Sequence, residues 1–354
     1  MHRVEIEADD GHSRFTLHMR TGLRRTTRCR YGCASGAVCA MGLYLSCGWV
    51  LLGFIGMIAG ADLLVRGASG IARAIGVPPL VIGLTIVAYG TSMPEFMASV
   101  IAMRQGIDGI ALGNVLGSNV CNIALVLGVA GILVPIRMET DVYRRQLPIT
   151  LILTVVMAGM IATGNRIDRL EGALFVVGIV GYTYWNFTRS RDGMSVGADR
   201  DLTWFDTHRL LALGAIAVGC VLLFIGGRLT VNGSTAIAVY FNVPDRIIGA
   251  TLVALGTSLP ELITTVVGIL RNETDLGVGN AIGSCIFNIL MVVGGAALTR
   301  PISADLMDYR LEFGFCILVL VVLYPMAGQS RHLNRTHGIV LTTLYCLFIG
   351  LLCR

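Results

Sequence analysis

The sequence predicts an all-α polytopic membrane protein with about ten transmembrane helices arranged as two inverted five-helix repeats. Three observations carry that prediction: too little charge for a water-facing surface, a succession of apolar runs of membrane-crossing length, and a long internal repeat. Of 354 residues, 55% are apolar and 14% charged, and the mean hydropathy is +0.74. A soluble domain carries about 25% charged residues, so the composition excludes a soluble enzyme, a nucleic-acid-binding protein and a disordered chain. All 27 basic residues are Arg; with 22 acidic residues the net charge is +5. The 44 glycines suit helical membrane proteins, which tolerate Gly better than soluble helices do.

A hydrocarbon core of ~30 Å takes ~20 residues of helix to cross. Apolar runs of that order fall at 43–65, 77–103, 109–134, 147–163, 168–188, 210–229, 243–270, 276–299, 311–327 and 338–353. Most connections are tight, as at 104–108, 164–167 and 271–275. The longest, 189–209, is polar and divides the chain into two five-span halves. The expected organisation is therefore a polar Arg-rich tail over 1–40, a first half over 41–188, a cytoplasmic linker over 189–209 and a second half over 210–354. Backbone groups in lipid must be satisfied within the segment, which selects a helical bundle.

With the first span entering from outside, inner loops hold 12 Arg and outer loops 8, a modest excess that places both termini outside. The first 40 residues oppose this, because their seven Arg favour the cytoplasm. They lack the layout of a cleaved signal peptide. They read as a retained cytoplasmic tail or as the result of a start placed upstream of Met41, and the second reading is preferred. The ten Cys are scattered without C-x-x-C or His/Cys spacing, and those inside spans read as small apolar fillers.

Val77–Gly128 aligns with Val243–Gly294 without a gap at a constant offset of 166 residues, with 21 identities in 52 positions. Shared hydrophobicity does not explain the matched polar positions. The copies lie five spans apart, and an odd number reverses chain direction, so they cross the membrane in opposite senses. Inverted repeats with a midplane site between them are a recurrent transporter plan.

Outside the tail there are 18 acidic residues, and most sit in loops or at span ends. Glu95 and Glu261 do not: they occupy matching mid-span places in Gly90-Thr-Ser-Met-Pro-Glu95 and Gly256-Thr-Ser-Leu-Pro-Glu261. A carboxylate at that depth costs about 2.5–3.5 kcal/mol on insertion scales and points to function. Pro94 and Pro260 withhold a backbone donor, so carbonyls before the break, at Ala88 and Ala254, are expected to be free to face a cation. Thr-Ser before Pro-Glu reads as the start of a new half-helix. A second cluster, Gly113-Asn-Val-Leu-Gly-Ser-Asn-Val-Cys-Asn122, is matched by Gly279-Asn-Ala-Ile-Gly-Ser-Cys-Ile-Phe-Asn288. Asn114, Ser118 and Asn122, and likewise Asn280, Ser284 and Asn288, share one helix face by their spacing of four. That face is read as ligating, the glycines as close-packing positions. Two carboxylates, the hydroxyls of Thr91, Ser92, Thr257 and Ser258, the Asn amides and carbonyl oxygens form a hard oxygen set suited to Na⁺ or Ca²⁺.

The paired G-T-S-x-P-E and G-N-x-x-G-S-x-x-x-N segments resemble the α-repeats of the cation/Ca²⁺ exchanger superfamily, closest to its prokaryotic Na⁺/Ca²⁺ exchangers. The resemblance covers residues ~41–354 in plan and is specific over the two repeats. It implies an antiporter of the prokaryotic inner membrane, exchanging Na⁺ for Ca²⁺ by alternating access, with the first and sixth spans moving against the rest. It implies four cation positions around Glu95 and Glu261. Thr91, Ser92, Thr257, Ser258, Ser118, Ser284, Asn122 and Asn288 would supply side-chain or backbone oxygens, and Ala88 and Ala254 carbonyls. Some relatives carry Asp where this chain has Asn288, which argues against K⁺ co-transport here. The expected partners are the two ions and the lipid bilayer; no nucleic acid, protein partner, cofactor or enzymatic activity is expected. H⁺/Ca²⁺ antiport on the same fold, and a cation channel, are the alternative readings.

Overall fold

A computed structural model describes residues 4–9, 12–17, 36–190, 208–241, 254–329 and 332–352. Most of the expected linker (191–207) and the opening of the second repeat (242–253) lie outside the described residues, as does most of the tail. Within the tail, β1 (Val4–Asp9) and β2 (His12–Leu17) pair as an antiparallel hairpin.

The first half comprises α1 (Gly36–Ile75), α2 (Pro79–Thr91), α3 (Met93–Arg104), α4 (Asp108–Leu133), α5 (Val142–Gly164) and α6 (Arg169–Ser190). The second comprises α7 (Arg209–Tyr240), α8 (Ala254–Thr257), α9 (Leu259–Leu270), α10 (Thr274–Thr299), α11 (Arg310–Gln329) and α12 (Arg335–Leu352). Among the described residues seven helices are long and apolar enough to cross a membrane, and the bent pair α2–α3 makes an eighth. Neither α6 nor the shorter α9 is among these, so eight of the expected ten spans are found among the described residues. Both α1 and α7 outrun their apolar runs, α1 continuing through Arg66 and Arg73 and α7 beyond 229 to Tyr240. A charged residue ends a hydrophobic run without breaking a helix, because Arg is a good helix former.

The inverted symmetry extends beyond the motifs. Short strands β3 (Ile136–Arg137) and β6 (His332–Leu333) pair, as do β4 (Arg166–Ile167) and β5 (Ile302–Ser303). Adding the offset of 166 turns β3 into β5 and β4 into β6, so the register Ile136↔Leu333 maps onto Ile302↔Ile167. Strands in one bridge must lie on one side of the membrane, which agrees with the six and four crossings expected between their members. The tight turns match as well: Gly106 has φ +76° and its counterpart Asn272 φ +61°, the residue types that tolerate left-handed backbone.

Helices α4 and α10 form the buried centre, with 78% and 83% of their apolar windows enclosed. Residues such as Leu45, Leu51, Leu174, Val177 and Val221 point outward, which is where lipid would lie. α1 packs antiparallel on α7 through small residues seven apart. A Cβ on Gly53 would come within 2.6 Å of the Gly226 carbonyl, one on Gly60 within 2.8 Å of Gly219, one on Gly67 within 2.7 Å of Ala212, and one on Gly233 within 2.8 Å of Ser46. Only Gly allows the two backbones this close.

At the β3 end a cavity of about 480 Å³ is lined by Arg137, Met138, Glu139, Thr140, Asp141 and Asp275. Burial, followed by the charge of Asp275 and a hydrogen bond to it, and the charge of Asp141, pushes Glu139 up to about 7; Arg137 acts the other way. The folded state therefore favours protonated Glu139. Its contribution to stability is full below the ordinary carboxylate value and is lost as pH rises through about 7. Glu139→Gln should raise the thermal unfolding temperature relative to the parent more at pH 8 than at pH 5. An equal difference at both pH values would contradict this.

Candidate functional site

The two half-helices α2 and α3 meet at an angle of 45°, broken at Ser92 (φ −85°, ψ 7°). The second repeat breaks at Ser258 (φ −90°, ψ 3°), between α8 and α9. Pro94 and Pro260 stand in the first turn of the new half-helix, where a missing N–H costs nothing. The half-helix start predicted from Thr-Ser-x-Pro-Glu is thus where the structure has it.

The expected free carbonyl at Ala88 is not free. It accepts the Ser92 amide at 3.0 Å and the Thr91 hydroxyl at 3.3 Å. The donor that Pro94 withholds belongs four residues back, at Gly90, and by the same count Pro260 withholds one from Gly256. The copies also differ here, since the Ser258 amide goes to Leu255 at 3.1 Å and not to Ala254.

Glu95 and Glu261 are both fully buried, and among the described residues neither meets a cationic side chain. Each is held by the other repeat. Ser92 Oγ donates to Glu261 Oε1 at 2.8 Å, while Ser258 Oγ lies 3.3 Å from Glu95 Oε1 and 3.1 Å from Ser118 Oγ. Both serines sit at the N-cap position yet make no capping bond with their side chains. Their hydroxyls are spent across the repeat interface. The second oxygen of each carboxylate, Oε2, is buried without a hydrogen-bond partner.

Asn114 and Asn280, placed by spacing on the ligating face, serve the scaffold. Asn114 Nδ2 donates to the Glu95 carbonyl at 3.2 Å and to Ser99 at 3.0 Å; Asn280 Nδ2 donates to the Glu261 carbonyl at 3.3 Å and to Thr265 at 3.0 Å. Their oxygens accept the threonines of the opposite repeat, Thr91 to Asn280 at 3.0 Å and Thr257 to Asn114 at 3.5 Å. Each Asn therefore ties its own Glu backbone to the other repeat's bend.

One turn further on, both central helices open into a π-helical turn, Cys121–Val126 in α4 and Asn288–Val293 in α10. Such turns are rare and concentrate at functional sites. Asn122 and Asn288 stand at these turns, fully buried, and each has an amide oxygen without a partner; the Ser284 hydroxyl also lacks one. Sequence spacing missed Asn119, a buried residue of α4 that bonds Asn288 and the Cys285 carbonyl. Its counterpart under the offset is Cys285, so the repeat carries no matched polar pair at this position.

The unpartnered buried atoms thus include Glu95 Oε2, Glu261 Oε2, the Asn122 and Asn288 amide oxygens and Ser284 Oγ, a set of oxygens carrying up to two negative charges. Leaving such groups unpaired costs about 1–3 kcal/mol each, a cost that a bound cation would offset. Among the described residues no group of three or more His, Cys, Asp or Glu could hold a metal ion, which sets this oxygen cluster apart from a zinc-type centre.

Fold and cluster together define a class of protein, the polytopic cation transporters built from inverted repeats. Within that class the chain belongs to the sodium/calcium exchanger protein family, whose match covers residues 45–188 and 211–354. It is 38% identical to the putative antiporter CaxA of Alkalimonas amylolytica, over 85% of this chain and 96% of that one. It is 31% identical to the sodium/calcium exchanger MaX1 of Methanosarcina acetivorans, over 86% and 97% respectively. A solved structure of the sodium–calcium exchanger NCX_Mj superposes with a TM-score of 0.75 at 30% identity, covering 88% of this chain and 99% of that chain. The chain is a multi-pass integral membrane protein of an antiporter family for sodium and calcium.

Proposed function

We propose that the protein exchanges Na⁺ for Ca²⁺ by alternating access at a midplane site between the repeats. The carrying observation is the reciprocal hold on Glu95 and Glu261, each fixed through one oxygen by a serine of the opposite repeat and left with the other unpartnered. The ligand set of this reading is Glu95 and Glu261 with oxygens from Thr91, Ser92, Thr257, Ser258, Ser118, Ser284, Asn122, Asn288 and Ala254; the Ala88 carbonyl, already bonded to Ser92 and Thr91, is left out. Two ionised carboxylates neutralise one Ca²⁺, and Na⁺ competing for the same charges couples the fluxes. A reciprocally braced site also suits alternating access, because moving one repeat against the other rearranges both halves of the cage at once. The cellular location of this reading is the prokaryotic inner membrane; the 32%-identical inner membrane protein YrbG of Escherichia coli supports it.

Membrane vesicles loaded with Na⁺ and diluted into Na⁺-free buffer should take up Ca²⁺, and uptake should stop when Na⁺ is present on both sides. Uptake driven only by a pH gradient would establish H⁺ as the counter-ion and overturn the Na⁺ reading. Current carried with no counter-ion would establish a channel.

A further inference from the structure

We infer that Asn119 is a positioning residue that decides which atom of Asn288 is presented to the cation. The inference rests on the midplane cation site proposed above. A chain of three polar groups crosses from α4 to α10. Asn119 Nδ2 donates to the Cys285 carbonyl at 3.4 Å, and Asn288 Nδ2 donates to Asn119 Oδ1 at 3.1 Å. Asn288 Oδ1 remains, buried and without a partner.

A primary amide has an accepting and a donating end, so its orientation is a chemical choice. Here the choice is anchored by a backbone carbonyl, which cannot donate. Turning Asn288 alone would set its Oδ1 against Asn119 Oδ1, two acceptors at the present 3.1 Å. Turning both amides would set Asn119 Oδ1 against the Cys285 carbonyl at the present 3.4 Å. Each alternative loses a buried hydrogen bond and gains an acceptor–acceptor contact. The arrangement that remains points an oxygen of Asn288, and not its NH₂, away from Asn119. A cation needs that oxygen and is repelled by the NH₂ dipole.

The first repeat has no such device. The counterpart of Asn119 there is Cys285, whose thiol lies 3.4 Å from the Ala281 carbonyl and 3.7 Å from that of Asn119 and offers Asn122 only a weak sulfur partner. The two Asn of the site are therefore unequal: Asn288 is set as an oxygen donor by an amide, while Asn122 has only the Cys285 thiol beside it.

The test is direct Ca²⁺ binding to purified full-length protein in detergent, comparing Asn119→Cys, which places the residue already tolerated at 285, and Asn119→Ala. Both are measured in the parent and in an Asn288→Asp background. In the parent background the Ca²⁺ Kd should rise roughly three- to tenfold, the size of one buried hydrogen bond. With Asp at 288 both oxygens accept, orientation has no meaning, and the change should fall below about twofold. Equal changes in both backgrounds would show a packing role and overturn the inference, as would no change in the parent. Flux on the same preparations separates the two readings: a parent that binds Ca²⁺ without Na⁺-driven uptake overturns exchange, while the Kd ratios still decide Asn119. A parent that does not bind Ca²⁺ overturns both.

Discussion

Replacing either central carboxylate by its isosteric amide, Glu95→Gln or Glu261→Gln, is expected to abolish Na⁺-driven Ca²⁺ uptake. The amide oxygen can still accept the serine of the opposite repeat, at 2.8 Å for Glu261 and 3.3 Å for Glu95, so the bend and its cross-bracing should survive. What is lost, on the proposed reading, is one of two fully buried charges that would face the dication. Truncating one member of a buried charge pair costs about 2–5 kcal/mol, or roughly thirtyfold to several thousandfold in affinity. The two variants should fail alike, because the carboxylates occupy equivalent places. Gel filtration in detergent should show both as folded as the parent. Near-parental uptake by either one would remove that carboxylate from the site.

The second large effect lies away from the ions, where α1 meets α7. A Cβ on Gly219 would come within 2.7 Å of the Gly60 carbonyl and 2.8 Å of the Leu64 amide nitrogen, whereas one on Gly214, in the same helix, would meet nothing within 4 Å. Gly219→Val must therefore push two backbones apart, with a cost of about 1–3 kcal/mol for overpacking. Gly214→Val adds a side chain to an exposed face and should behave like the parent. If α1 and α7 travel as one unit during transport, the first variant should also lose most of its uptake. Thermal unfolding in detergent and vesicle uptake, run side by side, check both parts. Comparable behaviour of the two variants would show that the close approach carries no weight.

Much of this was legible without coordinates. Apolar runs of helix-spanning length and the scarcity of charge pointed to a helical membrane protein, the default over a barrel where each run is long enough to satisfy its own backbone in lipid. The offset of 166 residues located both halves of the site, and a mid-span carboxylate beside Pro marked the break. The roles within the cluster were less legible. Spacing put Asn114 and Asn280 on one face with Ser118 and Ser284, but not which atoms would face the carbonyls of Glu95 and Glu261. It set Ala88 free where the amide of Ser92 in fact reaches it at 3.0 Å. The apolar runs end at 65 and 229, but the helices continue to Ile75 and Tyr240.

The sequence by itself determined that two acidic residues lie within the membrane, that they are related by an inverted repeat, and that oxygen-bearing residues accompany them. Those are properties of composition, order and period, which a linear chain carries in full. Only the tertiary structure decided that each Ser reaches the other repeat's Glu, that Asn122 and Asn288 stand at π-helical turns, and that Asn119 bonds Asn288 while a thiol takes its place beside Asn122. A hydrogen bond depends on the relative placement of atoms some 140–190 residues apart. That placement is set by how α4 and α10 pack, and no local spacing records it.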